Sequence, residues 1–159
     1  MTAEDQSQQG TTLTNHLEDR SIARDINFKF SGELVGLANN LSKVIFTPVP
    51  EMCVDSRLIH SGFIFSAASH AALTALNKKN SLIIGADIKF LAPIELGHEV
   101  IFKAEALQDD TKKCEVKVEG FLLDIKIFYG MFYIAAVSYT HLTLPTNNPW
   151  CRSRWSPYH

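Results

Sequence analysis

The sequence predicts an α+β domain in which an antiparallel sheet wraps around one long central helix. Three observations carry that expectation. Residues 62–77 hold no Asp, Glu, Lys or Arg and are apolar or small on every side, with five alanines at 67, 68, 71, 72 and 75. A helix that is apolar all round belongs inside a protein, and this one is shorter than the ~20 apolar residues a bilayer requires. Beyond it the hydrophobic period switches from 3.6 to 2. The alternating segments that follow are joined by short polar turns, which suits an antiparallel meander.

The elements follow in chain order. Residues 1–14 (MTAEDQSQQGTTLT) are polar and poor in apolar groups, and are expected to be a disordered leader. Residues 15–26 suit a short helix capped by Asn15, with Leu17, Ile22 and Ala23 on one side. Ile26, Phe28 and Phe30 alternate before Gly32 and Gly36, as in a strand with bends. A second strand, 41–47, stops at Pro48 and Pro50, and residues 51–59 form the loop into the helix. Ser61 is the expected N-cap. Asn77 or Asn80 ends the helix, where Lys78 and Lys79 complement its dipole.

In the next strand, 81–94, Ile84, Ala86, Ile88 and Phe90 take one side and Asp87 and Lys89 the other. Gly97 marks a turn. Val100, Phe102, Ala104 and Ala106 then alternate with Lys103 and Glu105. After a turn at 108–111, Cys114, Val116 and Val118 point inward and Glu115, Lys117 and Glu119 outward. A last strand spans 124–137, with a bulge expected at Gly130. Residues 138–159 have no period, three prolines and both tryptophans. They read as a non-native or disordered tail resembling translated adapter sequence, which leaves one domain over 15–137.

Composition excludes several functions. The chain has 159 residues, 46% of them apolar and 20% charged, with a net charge of −2. No basic run argues for nucleic acid, and no segment is long and apolar enough for membrane insertion. No signal peptide is evident at the N-terminus. Cys53, Cys114 and Cys151 are odd in number and widely spaced, which fits no metal site and suits a reducing, cytoplasmic setting.

Two motifs carry the chemistry. LIHSGFIFSAASHAALTALN resembles the helix start of the HGG-type acyl-CoA thioesterases of the hot-dog fold, the phenylacetate-type group. There, His-Gly-Gly precedes F-x-F-x-A-A-D. ADIKFLAPIELGHEVIFKAEAL resembles the strand pair of that group, K-F-L-x-P-x-x-x-G-x-x-V. The likeness covers about residues 28–136. It implies a homodimer or tetramer with sheets joined edge to edge, and sites at the subunit interface that take acyl-CoA. Coenzyme A enters only as part of the substrate, and no metal or other cofactor is implied.

The physical reading stands beside the resemblance. The first turn of a helix aims free backbone N–H groups and a positive dipole end at whatever precedes it. The Gly62 N–H is thus the candidate oxyanion donor, and His60 is the candidate to hold substrate or orient water, with a satisfied capping histidine as the alternative reading. Asp55, Ser61, Phe63, Phe65, Phe90 and Leu91 are candidate substrate-binding residues. The pattern is broken at two places. Ser61 replaces the first glycine, and Ser69 stands where the family's acid lies, nine residues after the histidine. Ser69 is carried as the third catalytic candidate with His60 and Gly62, and the adjacent His70 lies about 100° away around the helix. Glu51, Asp55 and Asp87 are the carboxylates that a partner subunit could supply.

Two other functions fit less of the sequence. A non-catalytic acyl-CoA binding or sensing module would explain the missing acid. An enoyl-CoA hydratase would use Asp55 and His60, four residues apart, with Ser66 six after the histidine. It lacks the Gly and Asn-Pro of that group's motif.

Overall fold

The computed structural model describes Leu17 and residues 20–109 and 113–136. The expected leader, Asn15, the turn around residue 111 and the tail from 138 lie outside them.

The first described segment departs from expectation. Leu17 and Arg20 are helical, but residues 21–27 are not. The alternation of Ile26, Phe28 and Phe30 is not a strand. Residues Phe28–Ser31 form one helical turn, α1, because the Asn27 side chain accepts the Lys29 N–H and caps it. Gly32, at φ 77°, turns the chain out of it. Strand β1, Glu33–Ala38, follows and pairs with β2, Leu41–Phe46, through a bulge between Leu34 and Gly36. Pro50–Met52 is a 3₁₀ turn. The expected loop before the helix contains a small antiparallel ribbon of β3, Cys53–Asp55, and β4, Leu58–Ile59.

The central helix, α2, spans Ser61–Leu76. Its alanines are strong helix formers and are fully or almost fully buried, so the sheet approaches closely. It ends at Asn77, in the left-handed conformation at φ 51°, whose N–H bonds to the Leu73 carbonyl. The expectation that Ser61 is its N-cap is corrected. His60 is the cap, through its ring nitrogen.

The remaining strands are β5 (Ser81–Phe90), β6 (Val100–Asp109), β7 (Cys114–Leu122) and β8 (Ile125–Ala136). The sheet is antiparallel, in the order β1-β2-β6-β7-β8-β5. The meander therefore holds for β6, β7 and β8 but not for β5. The connection over residues 91–99 carries the chain away from β5, so β6 pairs with β2 and β5 with the far side of β8. A bulge between Ile83 and Gly85 also shifts the sides of β5. Ile83 lies opposite buried Ile134, while Ile84 is 51% exposed. Ala86, Ile88 and Phe90 keep the expected side, opposite buried Phe132, Gly130 and Phe128.

No bulge occurs at Gly130, which pairs in register with Ile88 and Val118. A methyl group there would stand 2.9 Å from Ile88 and 3.0 Å from the Phe132 ring. At Gly120 it would stand 2.8 Å from the Phe102 ring. These two glycines make room for the aromatic core rather than for a kink. The bulge in this hairpin lies between Gly120 and Phe121.

Phe46, Phe102, Phe128 and Phe132 fill the space between sheet and helix, fully buried. Burying each contributes about 2 kcal/mol. The result is a hot-dog fold, a single curled sheet around α2. Both outer strands have free edges, and the β5 side exposes Leu82, Ile84, Phe90 and Leu91.

Candidate functional site

Two backbone bonds fix the residues leading into α2, and a third ties the end of β5 to β8. The His60 N–H reaches the Met52 carbonyl at 2.9 Å, the Ile59 N–H reaches the Ile94 carbonyl at 2.9 Å, and the Leu91 N–H reaches the Ile127 carbonyl at 2.8 Å. The ribbon, the end of β5 and the segment after it thereby enclose a cavity of about 330 Å³. Leu58, Ser61, Ile64, Phe90, Leu91 and Ile94 line most of it. Its walls Phe90 and Leu91, at the end of β5, are exposed.

His60 is exposed, and its Nδ1 accepts the Gly62 N–H at 2.8 Å. A neutral imidazole that accepts at Nδ1 carries its proton on Nε2. His60 therefore offers a hydrogen-bond donor, not a base, to anything bound beside it. The same bond corrects the expected role of Gly62, whose N–H is occupied by this cap. Position 62 is glycine because a Cβ there would come within 2.7 Å of the His60 ring. The close approach is made by the histidine, not by a substrate. The Phe63 N–H is also engaged, by the His60 carbonyl at 3.1 Å. The Ser61 N–H makes no hydrogen bond to a described residue, so it is the first-turn donor that remains.

The other expected residues divide. Ser61, Phe90 and Leu91 converge on the cavity. Phe63 packs edge-on to His60, with ring centroids 6.0 Å apart, and touches Phe30. Phe65 turns to the core and meets Phe132. Ser69 lies two turns along α2, and its hydroxyl donates to the Ser66 carbonyl at 2.9 Å. This is the usual back-bonding of a mid-helix serine.

His70 does not reach Ser69. Its Nδ1 donates to the Ser31 carbonyl at 3.0 Å, and its ring stacks on Phe28. Burial lowers its pKa below 6.5, partly offset by its bonds to the Ser31 and Gly32 carbonyls. Ser66 is bound to Ser31, hydroxyl to hydroxyl, at 2.7 Å.

Among the described residues no carboxylate lines the cavity. Glu51 pairs with Lys29 at 3.1 Å. Its pKa is lowered by a hydrogen bond from its own backbone and by Lys29. Asp55 sits exposed at the end of β3, in register with Leu58, and makes no bond to His60. Asp87 is exposed on β5, opposite Met131. Among the described residues no group of three His, Cys, Asp or Glu could hold a metal ion, and no helix is long and apolar enough to cross a membrane. Cys53 and Cys114 form no disulfide.

Sequence reasoning missed Leu58, Ile64 and Ile94 as cavity walls. Leu58 and Ile59 carried the available signal, an apolar pair facing Cys53–Asp55 across a tight turn at Ser56.

Comparison with known proteins places this geometry in context. No family model matches the chain. The solved HP0420 homologue of Helicobacter felis is 38% identical, with a TM-score of 0.73, and the match covers 76% of this chain and 99% of that one. Cj0977, a sigma28-regulated virulence protein of Campylobacter jejuni, is 31% identical with a TM-score of 0.77, over 80% of this chain and 92% of that one. The Escherichia coli PaaI protein of the phenylacetic acid degradation operon shares the fold, at 15% identity and a TM-score of 0.63 over 81% of this chain and 96% of that one.

Among curated proteins, the methylthioribose-1-phosphate isomerase of Aquifex aeolicus matches at 40% identity over 109 residues, 68% of this chain. Transcription factor FapR of Thermoanaerobacter matches at 29% over 108 residues, 67% of this chain. The chain spans about a quarter of the first, 24%, and about half of the second, 54%.

Proposed function

The chain belongs to the family of hot-dog proteins that includes Cj0977 and the H. felis HP0420 homologue, and from that premise we propose that it binds acyl-CoA at a site shared between two copies. The observation that carries this reading is the mainly apolar cavity lined by Ser61 at the start of α2, one residue after the His60 cap, and by the exposed Phe90 and Leu91 at the end of the outer strand β5. The acyl chain occupies the cavity. The thioester carbonyl accepts from the Ser61 N–H or the His60 Nε2–H, where the helix dipole favours negative charge. A second copy pairs along β5 and covers Leu82, Ile84, Phe90 and Leu91, which removes a liability of free edges. An acyl-CoA ligand suits the cytoplasm.

The reading is of binding rather than turnover, because Ser69 is back-bonded and no carboxylate among the described residues bonds to His60 or Ser61. One observation favours hydrolysis as a second reading. A donor fixed at His60 is what an acyl-CoA thioesterase needs to stabilise an oxyanion, and a carboxylate of the partner subunit would then activate water.

Thermal denaturation with a panel of acyl-CoAs, run beside a thiol-release assay, separates these. A rise in Tm without thiol release supports a binding protein. Thiol release that is lost in His60→Ala supports the thioesterase. Neither a Tm rise nor release overturns both.

A further inference from the structure

We propose that Arg57 and His98 form an anion-recognition rim beside the acyl cavity, suited to the phosphates of coenzyme A. This rests on the acyl-CoA reading and adds to it the residues that hold the polar end of the ligand. Arg57 lies in the turn of the β3–β4 ribbon, next to Ser56 at φ 48°. Its Nη2 donates to the Leu96 carbonyl at 2.6 Å, and its own carbonyl accepts the Leu96 N–H at 2.7 Å. The guanidinium lies across Gly97, at φ 96°, where a Cβ would stand 3.6 Å from Nη2.

Arg57 is therefore immobilised by a neutral acceptor. It takes part in none of the ion pairs among the described residues. No described carboxylate pairs with it, and four of the five N–H donors of its guanidinium are not used by the described residues. A planar fork held in advance loses little entropy when it grips a phosphate. His98 belongs to the same turn. Its Nδ1 accepts the Glu95 N–H at 3.1 Å, which leaves its proton on Nε2 as a second donor.

The rim adjoins the cavity through the backbone of its walls. Leu58 follows Arg57, Ile94 precedes Glu95, and Leu58 and Glu95 are bridged. An apolar pocket with a fixed cation at its rim fits a ligand with an apolar tail and an anionic head. Asp55, Glu95 and Glu99 lie on the same segments. None pairs with Arg57, and each weakens the rim's hold on an anion.

The test compares acyl-CoA with the matching acyl-pantetheine, which has the same thioester and no phosphate, by calorimetric titration. Wild-type protein is expected to bind acyl-CoA more tightly, by a margin that shrinks as salt is raised. Arg57→Gln, which retains a donor for the Leu96 carbonyl but not the charge, should weaken acyl-CoA binding roughly ten- to a hundredfold. It should leave acyl-pantetheine binding unchanged. His98→Ala should act in the same direction by less, and Asp55→Asn should strengthen acyl-CoA binding. Equal wild-type affinity for the two ligands would overturn the rim while leaving the acyl-thioester reading intact. So would an Arg57→Gln variant that binds acyl-CoA as wild type does, or that loses both ligands alike. If wild-type protein binds neither ligand, the acyl-thioester reading fails and the rim fails with it.

Discussion

The two halves of α2 use polar residues in opposite ways. From Ser66 onward every polar side chain is satisfied within the fold: Ser66 by Ser31, Ser69 by the Ser66 carbonyl, His70 by the Ser31 carbonyl, and Thr74 by the His70 carbonyl. The Ala71 carbonyl also accepts from Ser42 of β2. At the start of the helix the arrangement is unfinished. One nitrogen of the exposed His60 ring caps Gly62, and the neighbouring Ser61 N–H has no partner among the described residues. Histidines ten residues apart on one helix thus do different work. His70 ties α1 to the core, and His60 presents a donor to whatever binds.

The contrast can be broken by mutation. The largest effect is expected at His70. His70→Ala opens a void against Phe28 and strips the Ser31 carbonyl of its donor, which should cost about 3 kcal/mol in chemical denaturation. Acyl-CoA affinity of the folded fraction should not change, and a selective loss of binding would erase the distinction between the halves.

Next comes the pH response of the same residue. The folded pKa of His70 lies below 6.5 because burial opposes its charge. The unfolded chain takes up a proton there before the folded chain does. The neutral ring's contribution is therefore complete above pH 6.5 and is lost as pH falls toward the lowered folded value. Tm of the wild type should fall across that window more steeply than Tm of His70→Asn.

At the other half, His60→Ala removes a helix cap worth about 1 kcal/mol and should abolish most of the Tm rise given by acyl-CoA. His60→Asn sharpens the point, since asparagine caps well. It should recover the stability but not the ligand response. Gly62→Ala, which drives the ring off its cap, should copy His60→Ala. Ser69→Ala is expected to do least, within about 0.5 kcal/mol of wild type, with no change in binding or thiol release. A loss of thiol release in that variant would return Ser69 to the mechanism.

Much of the fold was legible in sequence because its signals are local. The apolar run and Asn77 marked α2, and strict alternation sorted the sides of β6 and β7. The order of the sheet was not local. Nothing in the composition of β5 says that β8 rather than β6 lies beside it, and the bulge after Ile83 moved the exposed isoleucine to position 84. The α1 turn was hidden because Phe28 and Phe30 alternate as a strand would, while the Asn27 cap decided the outcome. At the site, the motif named Ser61, Phe90 and Leu91, which line the cavity, and it left His60 open between a cap and a substrate contact; the structure shows the cap. Capping is ordinarily assigned to short oxygen-bearing side chains, and a ring nitrogen serves here because position 62 has no side chain to obstruct it.

The glycine pair beneath the aromatic core also bears on how the chain tolerates change. Gly120 and Gly130 sit in β7 and β8 with negative φ, in backbone that any residue could adopt, yet a single added carbon at either would collide with the rings of Phe102, Phe128 or Phe132. In a scan of every substitution at every position, these two sites should tolerate almost nothing, whereas neighbouring Lys117 and Glu119 should accept most residues. A propensity scale would rank glycine among the poorest choices for those strand positions. Consensus-style stabilisation that follows such scales would therefore replace the residues the core can least spare.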